Sequence, residues 1–220
     1  MTKKLNVAII GLGNIGTTIA GNLVKGNRQV IMADRKLEKA ESFAKTLGSL
    51  AKSADISTAI EAADIIVFAV WFNVIDELMK KYEAELEGKI IIDPSNPIAP
   101  DNNSGFKKII GSDESAGKIN STKLPLGAKL VKAFGTLGVE SLKKKAFQQE
   151  PSVLFYASDD ESINGDINQL IRDSGFEPLR IGGIDESIRI EVFGDLHEYG
   201  ALGKTVTLSE AKEKLHSFAG

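Results

Sequence analysis

"GLGNIG", residues 11–16, is the stretch of this sequence that decides its fold. It follows a short apolar run at 5–10 and opens a segment at 14–27 whose apolar residues recur at helical spacing. A glycine-rich turn between a buried strand and a helix lets the backbone approach a pyrophosphate, and the helix start offers amide donors and a positive dipole end. The segment therefore predicts a dinucleotide-binding site.

Each residue of the turn has an expected role in that site. Gly11 permits the tight turn, Gly13 lets the backbone approach the phosphates, and Gly16 lets the helix pack against the strand. Asn14 and Ile15 lie in the first turn of the helix and belong to the same predicted cofactor site. A glycine turn without a ligand is the alternative, but the position between a strand and a helix argues against it.

Short, near-continuous apolar strands alternate with helical segments outward from this turn. The predicted strands are at 5–10, 29–33, 63–70, 89–93, 128–134, 152–158 and 176–182, and the predicted helices are at 14–27, 35–47, 73–86 and 160–175. Such alternation is typical of a parallel sheet covered on both faces. We therefore predict an α/β, Rossmann-like, doubly wound fold with a mostly parallel sheet and extra strands in its second half.

The predicted elements divide the chain into two parts of one domain. Residues 1–220 are expected to form a single NAD(P)-binding domain, with a dinucleotide-binding core at 1–100 and a sheet extension with a C-terminal helical segment at 101–220. The irregular segment 94–105 is expected to be a loop at the carboxyl end of a strand, where open α/β sheets hold ligands. The apolar residues of 189–215 are spaced for a helix that packs either on a partner or on its own sheet.

"ADRK" at 33–36, at the end of the second strand, bears on which nucleotide binds. Asp34 lies where a carboxylate accepts hydrogen bonds from the ribose hydroxyls of NAD and repels a 2′-phosphate. Arg35 and Lys36 indicate NADP instead, because guanidinium and ammonium groups pair with phosphate, and Lys39 lies one turn further along the same helix face. A solvated helix start is the alternative interpretation of these three basic residues.

The composition excludes several classes of protein. The 220 residues carry a net charge of −3 with a pI of about 5.6, which disfavours a nucleic-acid partner. There is no cysteine, which excludes disulfides and thiolate ligands, and two histidines are too few for a histidine-rich metal site. No run approaches the ~20 apolar residues of a membrane helix. We expect a cytoplasmic protein with no metal, no nucleic-acid partner and no membrane span.

Five stretches together resemble a known family. They are "GLGNIG", "VIMADRKLEKAE", "ADIIVFAVWFNVIDEL", "KIIIDPSNPI" and "AKLVKAFGTL". They are similar to the NADPH-dependent reductases of the deazaflavin coenzyme F-420, also called F-420-dependent NADP oxidoreductases. The likeness runs from about residue 5 to 190. The glycine motif is shared with many folds, whereas "DPSNPI" and "KAFGTL" are much more specific.

The resemblance implies an NADP(H)-binding enzyme, usually a homodimer, that passes a hydride between the nicotinamide and a flavin-type ring stacked on it. Its small-molecule electron acceptor would be coenzyme F-420, a flavin or a related compound. At the 2′-phosphate the family commonly has a small polar residue followed by Arg, so that Arg35 matches and Asp34 departs. Gly135 stands where the family usually has Asn. NADP is therefore the expected cofactor, and Asp34 leaves NAD open.

Loops at strand ends supply the other candidate site residues. For the nicotinamide end of the cofactor they are Ala69, Val70, Trp71, Ser95 and Asn96. For the acceptor pocket they are Pro97, Phe134, Gly135, Thr136 and Leu137. Some have a structural alternative: Trp71 and Phe134 as packing residues, Ser95 and Asn96 as turn caps. His197 either contacts the acceptor or packs in the protein.

The sequence contains few candidates for acid–base catalysis, and no catalytic residue is predicted. Hydride transfer between two bound rings needs distance and stacking more than a general acid or base. The leading hypothesis is therefore an NADP(H)-dependent oxidoreductase acting on a flavin-type acceptor. One alternative is an NADP(H)-binding redox sensor without turnover. The other is a β-hydroxyacid or imine dehydrogenase, whose usual large helical domain would have only about 35 residues after position 185 to form it.

Overall fold

The computed structural model describes residues 4–101 and 105–217. Within them the strands are β1 Val7–Ile10, β2 Val30–Ala33, β3 Ala51–Ser53, β4 Ile65–Phe68, β5 Ile90–Asp93, β6 Ile98–Asp101, β7 Gly105–Lys108, β8 Lys129–Ala133, β9 Val153–Ala157 and β10 Glu177–Gly182. The helices are α1 Asn14–Lys25, α2 Leu37–Leu47, α3 Ile56–Glu61, α4 Phe72–Lys81, α5 Glu83–Leu86, α6 Ala116–Ser121, α7 Val139–Lys144, α8 Asn164–Asp173 and α9 Leu208–Ser217, with 3-10 turns at Glu161–Ile163 and Ile184–Ile190. None of these described helices is long and apolar enough to cross a bilayer.

Eight of the strands form one sheet in the order β10-β9-β8-β5-β4-β1-β2-β3. Neighbouring strands from β3 to β8 are parallel, whereas β9 pairs antiparallel with β8, and β10 pairs parallel with β9. The chain passes from β1 to β2 and β3 on one side and then crosses to β4 on the other. The predicted Rossmann-like α/β fold is therefore confirmed, and this change of direction places the ligand-binding edge at the carboxyl ends of β1 and β4.

Strand β4 explains why the strands of this sheet have continuous apolar sequences. Ile65 and Val67 enter the core formed with α1, α2, α7 and α8, whereas Ile66 and Phe68 enter the core formed with α3, α4 and α5. Because alternate residues serve different cores, every position of the strand must be apolar. All four side chains are fully buried, and each contributes about 1.5–3 kcal/mol to folding.

Two predicted segments differ from the structure. The helix predicted at 73–86 is two helices, α4 and α5, because the backbone at Tyr82 leaves the helical region, with φ −116° and ψ 31°. The segment 94–105, predicted as a loop, contains β6 and the first residue of its antiparallel partner β7, with Ile98 opposite Lys108. The prolines of this segment conceal the first of these strands, since proline is depleted in sheets.

Four short elements are not predicted by the sequence patterns. They are β3, α3, α6 and α7, which have between three and six residues each. Elements of this length are shorter than the window that reveals a hydrophobic period. Capping residues offer a weaker signal: the Asp55 carboxylate accepts a hydrogen bond from the Thr58 N–H and so begins α3.

The C-terminal segment packs on the chain's own sheet. Of the residues at 189–215, only those from Leu208 onward are in an α-helix. Leu196, Leu202, Val206 and Ala211 join apolar residues of β9 in a third buried cluster. Of the two packing alternatives for this segment, the described residues therefore show the intramolecular one. The homodimer stays a prediction.

Candidate functional site

A cavity of about 480 Å³ lies at the carboxyl ends of β1, β4, β5 and β8. One side, the nucleotide side, is lined by Gly13, Asn14, Ile15, Ala69, Val70 and Trp71. The other side, the far wall, is lined by Pro94, Ser95, Asn96, Ile98, Phe106, Gly135, Leu137, Gly138, Val139, Val192, His197 and Tyr199. All five residues predicted for the nicotinamide end, together with Gly135 and Leu137, thus line one space.

The glycine turn joins β1 to α1 and packs against the end of β4. Gly11 has a φ of +95°, and a Cβ there would lie 2.6 Å from the carbonyl oxygen of Ala69. Only glycine fits both the backbone conformation and the contact. A Cβ on Gly16 would collide with the Gly11 carbonyl, which explains the close packing of helix on strand. A Cβ on Gly13 would meet nothing within 4 Å, so the turn is open at that residue.

The first turn of α1 has the features of an anion site. Gly13 precedes the helix without a side-chain cap, and the first turn contains no acidic residue. Helix-start amides carry partial positive charge and bind anions. Gly13, Asn14 and Ile15 also line the cavity. The open space at Gly13 and the uncapped helix start therefore fit a dinucleotide pyrophosphate.

Asp34 holds the glycine turn and the start of α2 together. Its Oδ2 accepts hydrogen bonds from the Leu12 N–H at 3.0 Å and from the Lys39 ammonium at 3.2 Å, and its Oδ1 accepts one from the Lys36 N–H at 3.3 Å. Burial alone would raise the pKa of Asp34, but these hydrogen bonds and the Lys39 charge outweigh it and lower that pKa. The carboxylate is therefore ionised and already has three donors.

Unlike the Asp34 carboxylate, the side chains of Arg35 and Lys36 have no bonding partner among the described residues. Both side chains are exposed at the end of β2, and neither makes a side-chain hydrogen bond or ion pair among the described residues. Lys39, by contrast, is paired with Asp34. Of the three predicted basic residues, the first two are thus available for a phosphate, and the third chiefly neutralises the carboxylate.

Within the far wall, the carbonyl of Gly135 connects the loop after β8 to the loop after β5 and to the C-terminal segment. That oxygen accepts hydrogen bonds from the Asn96 side-chain amide at 3.0 Å and from Nε2 of His197 at 2.9 Å. The Asn96 side-chain oxygen in turn accepts a hydrogen bond from the Val192 N–H at 2.7 Å. A Cβ on Gly135 would lie 2.7 Å from the Pro94 carbonyl oxygen, so the loops after β5 and β8 can approach this closely only with glycine there.

His197 is a buried, neutral residue of the far wall. Its Nδ1 accepts a hydrogen bond from the Tyr199 N–H at 2.9 Å while Nε2–H donates to Gly135, which fixes the tautomer. Burial lowers the pKa of His197 to about 4, although the hydrogen bond to Gly135 opposes the shift. Both ring nitrogens are therefore engaged, and the ring serves as a positioning group rather than a proton donor.

Glu198 makes a second connection between the C-terminal segment and the site. Its carboxylate accepts hydrogen bonds from the Gly138 N–H at 3.1 Å and from the Ser141 hydroxyl at 2.9 Å, and its own N–H donates to the Thr136 carbonyl at 3.1 Å. The negative charge lies at the start of α7, where the helix dipole stabilises it. The loop after β8 is thereby held against the cavity.

A buried ion pair lies beneath the far wall. The Lys132 ammonium is 3.0 Å from Oδ2 of Asp93, and both side chains are at most 2% exposed. Asp93 also accepts hydrogen bonds from the Ser95 N–H at 2.7 Å and the Asn120 amide at 3.0 Å, and Lys132 also donates to the Ser95 carbonyl. These bonds fix the backbone of Ser95, which lines the cavity, to the ends of β5 and β8.

Three predicted acceptor-pocket residues do not line the cavity. Pro97 is buried after β5, Phe134 is in the main core with a φ of +65°, and the Thr136 side chain is 1% exposed. The hydroxyls of Thr136 and Ser95 are buried without a hydrogen-bond partner among the described residues. Phe134 thus corresponds to the packing alternative, while its neighbours Gly135 and Leu137 reach the cavity.

Several cavity residues are not predicted from the sequence. Apart from Pro94, which directly precedes the predicted Ser95, they are Ile98, Phe106, Gly138, Val139, Val192 and Tyr199. Gly138 and Val139 continue the strand-end loop after Leu137, so extending the predicted loop by two residues would have found them. The others come from β6, β7 and the C-terminal segment, and no sequence pattern shows that these lie beside the glycine turn. Among the described residues, no cluster of acidic or histidine side chains suits a metal ion.

Comparison with known proteins supports the resemblance. Residues 6–97 match a family model described as "NADP oxidoreductase coenzyme F420-dependent". The F420-dependent NADP reductase of Methanocaldococcus jannaschii is 24% identical over 203 residues, which cover 87% of this chain and 90% of that enzyme. The first match lies within the predicted dinucleotide-binding core, and the second extends over most of the chain.

Two further proteins are similar to this chain, one in the sequence of part of it and the other in its overall structure. The glutamyl-tRNA reductase of Methanococcus maripaludis is 38% identical over 94 residues, which make up 42% of this chain but only 24% of that enzyme. The crystal structure of the hypothetical protein SMa0349 from Sinorhizobium meliloti has a TM-score of 0.79 and 25% identity, with 92% of this chain and 95% of that chain covered. The chain therefore spans about a quarter of the former relative and nearly all of the latter.

Proposed function

We propose that this chain, a member of the family of coenzyme F-420-dependent NADP oxidoreductases, is an NADP(H)-dependent oxidoreductase that transfers a hydride between the nicotinamide and a flavin-type acceptor. The observation that carries the proposal is the cavity itself. One continuous space joins the uncapped start of α1 to a far wall of largely apolar residues. Such a space accommodates a nicotinamide and a second ring side by side.

The residues of the nucleotide side suit NADP. The amides at the start of α1 would hold the pyrophosphate, and the open turn at Gly13 leaves room for it. Arg35 and Lys36 would pair with the 2′-phosphate, since both are exposed and their side chains have no partner in the part of the chain that the structure describes. Asp34 is engaged by Leu12 and Lys39, which leaves it less available to the ribose hydroxyls of NAD.

The chain contributes orientation rather than acid–base chemistry. NADPH, when bound, supplies the hydride. Trp71 and the far wall would restrict the position of the two rings and keep water from the space between them. His197 keeps a neutral ring that is hydrogen-bonded on both nitrogens. A ketone or imine reductase that needs a protein acid at the reacting carbon has less support from this far wall than a ring-to-ring transfer.

Cofactor titration tests the proposal. We expect purified protein to bind NADPH more tightly than NADH, and to oxidise bound NADPH when a flavin or coenzyme F-420 is added. NADPH binding without turnover by any acceptor would favour the redox sensor. Equal or tighter binding of NADH would contradict the choice of NADP.

Arg35→Ala gives the sharpest test of the phosphate contact. We expect the dissociation constant of NADPH to rise about tenfold and that of NADH to stay within about twofold, because only NADPH has the phosphate that the guanidinium would meet. Lys45→Ala is the matched control, since Lys45 is also an exposed basic residue but lies in the last turn of α2, whereas Arg35 precedes the start of that helix. An equal loss for both nucleotides would show that Arg35 is only structural.

A further inference from the structure

We infer that the acceptor taken by this cavity is an uncharged, planar, quinone-type ring, either a quinone or the ring system of an unphosphorylated flavin. The inference rests on the proposed function, because it names the acceptor class of the same site. It goes beyond that function by excluding acceptors whose anionic groups enter the cavity. Three observations carry it. Aromatic side chains surround the opening of the cavity, the far wall has no charged side chain among the described residues, and two of its polar side chains are hydrogen-bonded within the protein.

Three large aromatic side chains surround the mouth of the cavity. Trp71 lies between β4 and α4, Phe106 is in β7, and Tyr199 is in the C-terminal segment. All three are more than half exposed, at 56%, 54% and 60%. Exposed aromatic residues that converge on one cavity from separate elements indicate a binding site, and their faces suit an aromatic ring.

Among the described residues, the far wall consists of apolar, glycine and neutral polar residues. Ile98, Leu137, Val139 and Val192 supply aliphatic surface, and the polar members are Ser95, Asn96, His197 and Tyr199. A carboxylate or phosphate that entered such a space would lose its hydration without gaining a cationic partner.

Two polar side chains of the far wall, those of Asn96 and His197, are already hydrogen-bonded inside the protein. Both side-chain polar atoms of Asn96 are hydrogen-bonded, to Gly135 and Val192. Both ring nitrogens of His197 are bonded, to Gly135 and Tyr199. Since burial holds the pKa of His197 at about 4, the ring does not become a cation at neutral pH. The wall therefore recognises its ligand by shape and apolar contact.

Reduction of such a ring needs no proton from the chain. One hydride from the nicotinamide brings two electrons and one proton to the quinone, which becomes the hydroquinone anion, and NADPH becomes NADP⁺. A second proton from solvent at the open mouth completes the hydroquinone. For a flavin ring the same hydride and one solvent proton give the dihydroflavin.

Binding of matched flavins tests the charge preference directly. Lumiflavin, riboflavin and FMN share one ring, but riboflavin adds an uncharged tail and FMN adds a phosphate to that tail. We expect the protein saturated with NADP⁺ to bind lumiflavin and riboflavin about tenfold more tightly than FMN, measured by quenching of flavin fluorescence. FMN binding as tight as riboflavin binding would overturn the inference, and so would riboflavin binding as weak as FMN binding, since tail size would then decide.

Turnover separates the failure of this inference from failure of the proposed function. With NADPH as donor, we expect kcat/KM for menadione to exceed that for 1,4-naphthoquinone-2-sulfonate about tenfold. Equal or better turnover of the sulfonate, FMN or coenzyme F-420 would overturn the uncharged acceptor and leave the oxidoreductase intact. Selective lumiflavin binding without any NADPH oxidation would instead overturn the oxidoreductase and leave the ring preference standing.

A cation placed on the far wall should reverse the preference. Phe106→Lys puts an ammonium at an exposed position of the wall, and we expect it to tighten FMN binding at least about fivefold relative to riboflavin. Leu126→Lys is the control, because Leu126 is 77% exposed and precedes β8 at the opposite edge of the sheet. An unchanged ratio of FMN to riboflavin affinity in Phe106→Lys would contradict the inference.

Discussion

The two sides of the cavity are built in opposite ways. On the nucleotide side the start of α1 is uncapped, and at the end of the neighbouring strand β2 Arg35 is exposed without a side-chain partner among the described residues, so groups that attract anions are left unpaired. On the far wall, Asn96 and His197 use their polar atoms on the protein itself and leave apolar surface to the cavity. We therefore propose that one side recognises charge and the other recognises shape. Substitutions on the two sides should accordingly affect different properties.

The largest expected effect is a loss of stability from the ion pair beneath the far wall. Lys132→Met leaves the buried Asp93 carboxylate without its cation, and we expect the free energy of unfolding to fall by about 3–5 kcal/mol in urea titrations. The double variant Asp93→Asn/Lys132→Met removes both charges and should recover part of that loss. A single variant within about 1 kcal/mol of the parent would show that the pair is not needed to hold the wall.

The next effect is a pH dependence that originates in His197. The folded pKa of about 4 lies below the ordinary value of 6.5, so the unfolded chain binds a proton that the folded chain does not. Stability is therefore full above pH 6.5 and falls as the pH drops toward 4, by about 3 kcal/mol for this group. His197→Gln should flatten the dependence of unfolding free energy on pH over this range. The same slope in parent and variant would assign it to other groups.

A smaller effect on stability is expected when a glycine is replaced by alanine on each side of the cavity. Gly135→Ala places a Cβ 2.7 Å from the Pro94 carbonyl and should cost about 1–3 kcal/mol in unfolding free energy, because the two loops must separate. Gly13→Ala meets nothing within 4 Å and should cost less than about 1 kcal/mol. Its effect should appear in NADPH affinity, which we expect to fall at least about tenfold.

Two outcomes for these glycine variants would contradict the roles assigned to Gly13 and Gly135. If Gly13→Ala destabilised the protein as much as Gly135→Ala did, the open turn would be structural rather than reserved for a ligand. If Gly135→Ala left stability unchanged but weakened NADPH binding, the contact with Pro94 would belong to the nucleotide side. Thermal unfolding and nucleotide titration on the same two proteins distinguish these cases.

The difference between the two sides also explains what the sequence could predict. The nucleotide side is formed by neighbours in the chain: a strand, a glycine turn and a helix, each with its own period or motif. Local patterns are therefore sufficient to place Gly11, Gly13 and Gly16. The far wall brings Asn96, Gly135 and His197 together from segments about 40 and 60 residues apart. Contacts between residues so far apart in the chain produce no periodic pattern in the sequence. A single His or Asn also occurs in many structural and functional roles, so its residue type alone does not identify its role.

Asp34 shows most clearly what the sequence can and cannot predict. Its residue type indicates a role in cofactor choice, but the sequence does not reveal which groups surround its carboxylate. The sequence places a carboxylate at the position that binds ribose in NAD enzymes. It does not show that the Leu12 N–H and the Lys39 ammonium occupy that carboxylate. The missing information is the side-chain direction of Lys39, which depends on how α2 lies against the glycine turn.

The Gly135 carbonyl has a consequence for how new specificities could arise. His197 and Asn96 connect the C-terminal segment to this oxygen, Glu198 connects it to the loop after β8, and none of these hydrogen bonds involves a residue of the nucleotide side. In such a segment the residues that line the cavity, Val192 and Tyr199, could diverge or be exchanged by a protein engineer while the predicted cofactor-binding core stays as it is. Libraries that vary Val192 and Tyr199 but keep Asn96, Gly135 and His197 would then yield reductases for new acceptors from one unchanged source of hydride.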